Sequence, residues 1–239
     1  MFFVEPLCHD TTKTVSKAFE TEVRLRMHWN KERQWFAISQ ERERLASDLS
    51  ALAERQWRMQ SECFAWTVEE TLAHLTAAAS IGRWRWLRSM SGARFNAELH
   101  NRRRLDEHLG DTPTETLQRF RAAITNRVEP SSATWAWLGE VIGHGADIRT
   151  PLGIPTTPDV DTVTFVAENY ATKDFAVPSC TTARELHLIA TDSPFRYGTG
   201  PEVCGPVLDL VMVMAGRPAH LQHLNGPGVP ILQERLRNG

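Results

Sequence analysis

Apolar and polar positions alternate along the chain with two different rhythms. From Trp35 to Leu52 the apolar residues Trp35, Ile38, Leu45, Leu49 and Leu52 recur at spacings of three, four and seven among charged neighbours. That stripe predicts an amphipathic helix. The stretch RQWRMQSECFAW, residues 55–66, interrupts it. A second helix is announced by TVEETLAHL, where Thr67 is placed to cap and Glu70 follows at the capping-box distance. It is expected to run to about Met90. SGARFNAELHNRRRLDEHLGD, residues 91–111, is polar and irregular, with room for a short helical turn. A third helix begins at Thr112 with Pro113 in its first turn and Glu115 at the box position. Leu117, Phe120, Ile124 and Val128 form its stripe. A fourth covers about residues 132–148, ended by the three prolines of TPLGIPTTPD. Four amphipathic helices in succession predict a four-helix bundle.

After Asp159 the pattern changes. DVDTVTFVAENYA keeps helical spacing, whereas ARELHLIATD alternates as a strand does. SPFRYGTGP reads as a strand entering a turn, VCGPVLDLVMVMAGR as an apolar helix, and NGPGVPILQERL as a turn with a short helix. The expected organisation is an extension over residues 1–32, a bundle over 33–155 and a small α+β domain over 156–239. The extension mixes charge and apolar residues without a clear period, so it is expected to be loosely packed or to form an extra helix.

Composition narrows the function classes. The 239 residues are 41% apolar and 23% charged, as in an ordinary globular protein. A net charge of -2 gives no general attraction to nucleic acid or acidic lipid. No run approaches the roughly 18 apolar residues of a membrane span. The opening MFFVEPLCHD lacks the basic and apolar regions of a secretory signal. Cys8, Cys63, Cys180 and Cys204 are scattered, with no CxxC pair, which points to reduced thiols and a cytoplasmic protein.

The candidate chemistry lies in WLGEVIGHGAD, residues 137–147. On a helix, Trp137, Glu140, Val141, His144 and Ile148 share one face, which sets a carboxylate and an imidazole among apolar neighbours. Glu-x-x-x-His can present an oxygen and a nitrogen to one metal ion. The same spacing also suits a buried Glu–His hydrogen bond, or a helix rolled so that both groups meet water. A third ligand would have to come from another helix. His74 is the candidate, since Thr71, Ala77, Ala78 and Ile81 around it leave room for an imidazole. His9, His28, His100 and His108 lie in irregular or polar segments, and His187, His220 and His223 in the second domain. Two histidines and a glutamate make the open, three-ligand set of catalytic zinc. Asp147, one turn beyond His144, suits either a hydrogen bond to a ligand or a solvent-facing cap.

Three segments in this order, AWTVEETLAHL, WLGEVIGHGADIRTPLGI and TDSPFRYGTGPEVCGPVLDLVMVMAGR, resemble the mycothiol-dependent maleylpyruvate isomerase family of the DinB-like superfamily. The resemblance covers about residues 33–239. Residues 1–32 have no counterpart in it, and Ala65 stands where a glycine commonly precedes the tryptophan. It implies an α+β protein: a DinB-like metal-binding four-helix bundle with a smaller C-terminal α/β domain. The family's ligands match His74, Glu140 and His144, holding a divalent metal, zinc as a rule. Its functional arginine in the C-terminal domain matches Arg217, which is therefore expected to be catalytic and to bind the thiol cofactor or substrate.

What the resemblance implies chemically is a small-molecule enzyme working with mycothiol, the cysteinyl sugar thiol of actinobacteria. A metal-coordinated thiol loses its proton. The thiolate would add to the double bond of maleylpyruvate, allow rotation and leave again, giving the trans isomer. Arg217 would clamp a carboxylate in a bidentate fork, unless it is a surface salt bridge. The nearest alternative is a mycothiol S-transferase that conjugates the thiol to an electrophile, in detoxification or natural-product biosynthesis. RWRWLR (residues 83–88) and NRRR (residues 101–104) also raise the reading of a non-catalytic nucleic-acid or partner-binding module. A solvated helix face explains them without one, and the expectation is no nucleic acid, no membrane, and a monomer or homodimer.

Overall fold

The computed structural model describes residues 29–63, 65–80, 82, 97–128 and 132–238. The first apolar stripe forms α1 (Lys31–Asp48) and a 3-10 turn, Leu49–Ala51. Asn30 caps it by accepting the Arg33 N–H, and Trp35, Ile38, Leu45 and Leu49 are buried as the spacing requires. One short helix, α2 (Glu54–Trp57), lies in the interrupting stretch. Then α3 (Val68–Ala78) starts at the expected capping box: the Thr67 hydroxyl accepts the Glu70 N–H, and the Glu70 carboxylate accepts the Thr67 N–H.

Several expectations need correction. Helix α3 stops at Ala78 rather than running on to Met90. Ser80 and Gly82, both weak helix formers, follow that end. The rest of that stretch, including RWRWLR, lies outside the described residues. The polar segment holds a full helix, α4 (Ala97–Asp106), rather than a turn. It is anchored by burial of Leu105 and by the Arg102–Glu70 ion pair (2.6 Å), long-range partners that no local period reveals. Next, α5 (Pro113–Ala122) is capped by Thr112, but the Glu115 carboxylate accepts the Asp111 N–H and not that of Thr112. It also ends before Ile124 and Val128. The buried Arg42 of α1 takes up the exit of α5, its Nη1 donating to the carbonyls of Ala123, Ile124 and Asn126.

The longest helix, α6 (Thr134–Leu152), passes the expected end and carries Pro151 in its last turn. A proline lacks the N–H that would bond four residues back, so Pro151 cannot donate to the Asp147 carbonyl. That carbonyl instead accepts the Glu62 N–H at 2.9 Å, which fastens the loop before α3 onto α6. Gly153, at φ 66°, closes α6 in the left-handed conformation. The Arg149 Nε donates to Asp48 at 2.7 Å and ties α6 to α1.

Beyond it come α7 (Val160–Thr172), capped by Asp159, and the short α8 (Ser179–Ala183). Strands β1 (His187–Ala190), β2 (Arg196–Tyr197) and β3 (Glu202–Gly205) form a mixed sheet in the order β2-β1-β3. Strand β1 is antiparallel to β2, with Leu188 opposite Tyr197, and parallel to β3, with Leu188 opposite Val203. The apolar helix α9 (Val207–Met214), a 3-10 helix Pro218–His223 and α10 (Val229–Asn238) complete the chain. The expected α+β class is observed: a helical N-terminal part and a small C-terminal sheet. Helix α7 packs against both α6 and α9, and one apolar cluster continues from Trp35 to Leu232. No described helix is long and apolar enough to cross a membrane.

The approach of α7 to α6 depends on a missing side chain. A Cβ at Gly139 would lie 2.5 Å from the Tyr170 hydroxyl, and Tyr170 is buried. Gly139→Ala should therefore destabilise the fold by about 1–3 kcal/mol, despite the roughly 1 kcal/mol that alanine gains over glycine in a helix. Urea unfolding measures the balance, and a variant more stable than the parent would mean that the tyrosine ring yields.

Candidate metal centre

Helices α3 and α6 pack against each other and direct three donors to one point. His74 Nε2 lies 2.7 Å from Glu140 Oε1, and His144 Nε2 lies 3.6 Å from the same oxygen. One ligand atom from each residue falls within 4.8 Å of the others. The three residues singled out in the sequence are thus brought together, from two helices and across 66 positions of chain. His74 is buried, while Glu140 and His144 remain partly accessible, so the convergent side is not sealed.

The two imidazoles are supported differently. His144 donates through Nδ1 to Asp147 Oδ2 at 2.8 Å. Asp147 is fully buried, not solvent-facing, and Arg217 grips it with a fork: Nε to Oδ1 at 3.0 Å and Nη2 to Oδ2 at 2.7 Å. Arg217 Nη1 donates to the Ala215 carbonyl at 2.6 Å. The arginine is therefore reached from the sheet-containing part, as the motif order implies, and its fork holds a protein carboxylate. His74 has no such prop. Its Nδ1 is buried without a hydrogen-bond partner, and Trp66 covers its ring at 4.5 Å between centroids.

Trp66 is a site residue that the sequence pattern marks only as part of a turn. Its position follows from the loop that the Asp147 carbonyl fastens. Within that loop the Trp66 N–H donates to the Cys63 carbonyl, and the Trp66 carbonyl accepts from the Ser61 backbone and hydroxyl. The same loop brings the Cys63 thiol within 4.8 Å of ligand atoms of His144 and Asp147. Burial and the Asp147 charge push that thiol's pKa up, so it is held protonated.

Charges are arranged accordingly. Burial lowers the pKa of His74, outweighing its bond to Glu140, and leaves it neutral. Burial alone would lower His144 too, but its bonds to Asp147 and Glu140 prevail and raise it to about 9. For Glu140, hydrogen bonds from His144 and His74 overcome burial and hold its carboxyl well below the usual range. Asp147 is lowered as well, since His144 and Arg217 outweigh its burial. A neutral imidazole, an imidazole whose Nε2 proton can be displaced, and a carboxylate form a donor set that fits a divalent transition metal.

The class is thus a helical bundle with an open His–Glu–His centre between two helices, backed by a small sheet. Residues 38–137 match the family model described as the Mycothiol maleylpyruvate isomerase N-terminal domain, which bears out the resemblance read from the motifs. The matched span contains His74 and ends before Glu140. Two similar solved structures are those of the mycothiol-dependent maleylpyruvate isomerase and of a histidine-to-alanine mutant of it. Each shares 16% identity and a TM-score of 0.58, covering 82% of this chain and 92% of that chain. At that identity the likeness establishes the fold. No curated protein matches the chain.

The sign of the His144 shift gives a test in metal-free protein. A group raised from about 6.5 to about 9 stabilises the fold fully below the lower value and ceases to do so as pH rises through the upper one. The His144 ring proton should therefore titrate near pH 9 by NMR. Asp147→Asn should lower that midpoint by a unit or more and cost about 3–5 kcal/mol, because Arg217 is left buried without its counter-charge. An unchanged midpoint would detach Asp147 from control of His144.

Proposed function

We propose that the protein is a metal-dependent enzyme that uses mycothiol as its thiol and isomerises maleylpyruvate or a close analogue. The observation that carries this reading is the convergence of His74, Glu140 and His144, joined to a family match that includes the first of them. Those three residues would hold the metal, and zinc suits two nitrogens and one oxygen. Metal and thiol together would supply a thiolate nucleophile at neutral pH, able to add to an activated double bond and leave again.

The rest is work for the chain itself. Glu140 and His74 stay ionised and neutral respectively, so neither has to change its proton count to serve as a ligand. His144 gives up its Nε2 proton, and Asp147 fixes the ring so that Nε2 faces Glu140. Arg217 is assigned two tasks. Through Asp147 it positions His144, and the Nη protons not committed to Asp147 or Ala215 are available to a substrate carboxylate or to the thiol cofactor. Trp66 and the buried side of His74 limit water on one flank of the centre. The Cys63 thiol, held protonated, is not the nucleophile in this reading.

Metal content provides the first test. His74→Ala and His144→Ala proteins should each lose the ion at this centre, at least a hundredfold in affinity, with the fold kept. Retention of that ion in both would end the metal reading. Turnover provides the second. Activity toward maleylpyruvate should require added mycothiol, which should be recovered unconsumed, and Cys63→Ser should retain most of it. Thiol consumed in step with substrate would make the protein an S-transferase. Turnover that needs no thiol and vanishes in Cys63→Ser would put the nucleophile on the protein.

A further inference from the structure

A second convergence of donors lies outside this centre, in the C-terminal part. Asp209 sits in the first turn of α9 and is mostly buried. The 3-10 helix that follows Arg217 carries His220 and His223, three residues apart. Residues at that spacing eclipse one another on a 3-10 helix, so both rings leave the same side. Both then aim their Nδ1 atoms at a single oxygen, Asp209 Oδ1, at 2.6 Å for His220 and 2.8 Å for His223. The rings stand nearly perpendicular, at 80°, with centroids 6.1 Å apart. His220 is buried, and Asp209 is its one polar partner, since Nε2 has none. The His223 side chain is 50% exposed.

We infer that Asp209, His220 and His223 form a second site for a divalent transition metal. To hold a buried aspartate in place one histidine suffices, whereas two imidazoles and a carboxylate meeting at one point are the composition of a metal site. Ligand atoms of all three lie within 4.8 Å of one another, the same limit that the His74, Glu140 and His144 set meets. Two imidazoles select zinc, cobalt, nickel or copper over magnesium or calcium. The exposed His223 gives the ion a way in, and three protein ligands leave a position for water.

The site would act on the backbone between its ligands. Arg217 is the residue immediately before the 3-10 helix, and the turn from α9 passes through Gly216 at φ 90°. An ion joining Asp209 before that turn to His220 and His223 after it would hold the turn shut. Arg217 would then be presented to Asp147 in one geometry. The two donor sets share no residue, so the second site stands or falls independently of the function proposed above.

The test counts zinc bound by full-length, chelator-stripped protein after equilibrium dialysis, with circular dichroism as the check on folding. Wild type should bind two ions per chain. His223→Gln should bind one, the His74→Ala/His144→Ala protein should bind one, and the triple variant none. Cobalt-loaded His74→Ala/His144→Ala protein should show visible absorption that disappears on adding His223→Gln. Asp209→Asn, which keeps the side chain's shape, provides a second route to the same loss. If His223→Gln and Asp209→Asn bind as many ions as wild type, the cluster is a hydrogen-bonded knot and the inference is overturned. Loss of zinc only in the His74→Ala/His144→Ala protein overturns it equally, while leaving the first centre intact.

Discussion

The architecture turns on one buried carboxylate. Asp147 commits its side chain to His144 and to the fork of Arg217, and its carbonyl to the Glu62 N–H. One residue therefore orients His144, joins the bundle to the sheet-containing part and secures the loop that carries Trp66. A fully buried aspartate would be costly if left alone. Here two positively charged partners and a fixed geometry offset that cost. Pro151, four residues later in the same helix, leaves that carbonyl without its usual intrahelical donor, and the Glu62 N–H takes the place.

This arrangement makes the two imidazoles chemically unequal. An imidazole that donates to a carboxylate is the more basic ligand, and its ring is held against rotation. His144 has that support, and behind it a guanidinium. His74 has an indole face and a bare Nδ1, so its orientation rests on packing. Asymmetry of this kind leaves one ring neutral and favours the charged form of the other. It also places the link between the bundle and the C-terminal part on the His144 side.

Much of this is legible in the chain. The stripe from Trp35 to Leu49, the Thr67–Glu70 box and the Glu140–His144 spacing report local geometry, and local geometry is what a sequence period encodes. The helix over 97–106 is not legible, because its anchors are Leu105 in the core and Glu70 on another helix. The burial of Asp147 escapes for the same reason: its cation lies 70 residues away. Pro151 reads as a stop signal, whereas a proline in the last turn leaves the helix intact and frees a carbonyl. Likewise His220 and His223 carry no signal of their own, since their common partner, Asp209, sits across a turn that no motif announces. The Trp66 stack has a faint one, its place one residue before the α3 cap.

The distance from Asp147 to Arg217 along the chain also sets an order of events during synthesis. A chain emerges from the ribosome N-terminal end first and its parts fold as they appear. His74, Glu140 and His144 are all out before the arginine has been made. Throughout that interval Asp147 has only His144 to offset its burial and lacks the fork of Arg217. Arg217, which follows α9, is thus the last charged partner to reach a cluster whose other members, His74, Glu140, His144 and Asp147, were translated earlier.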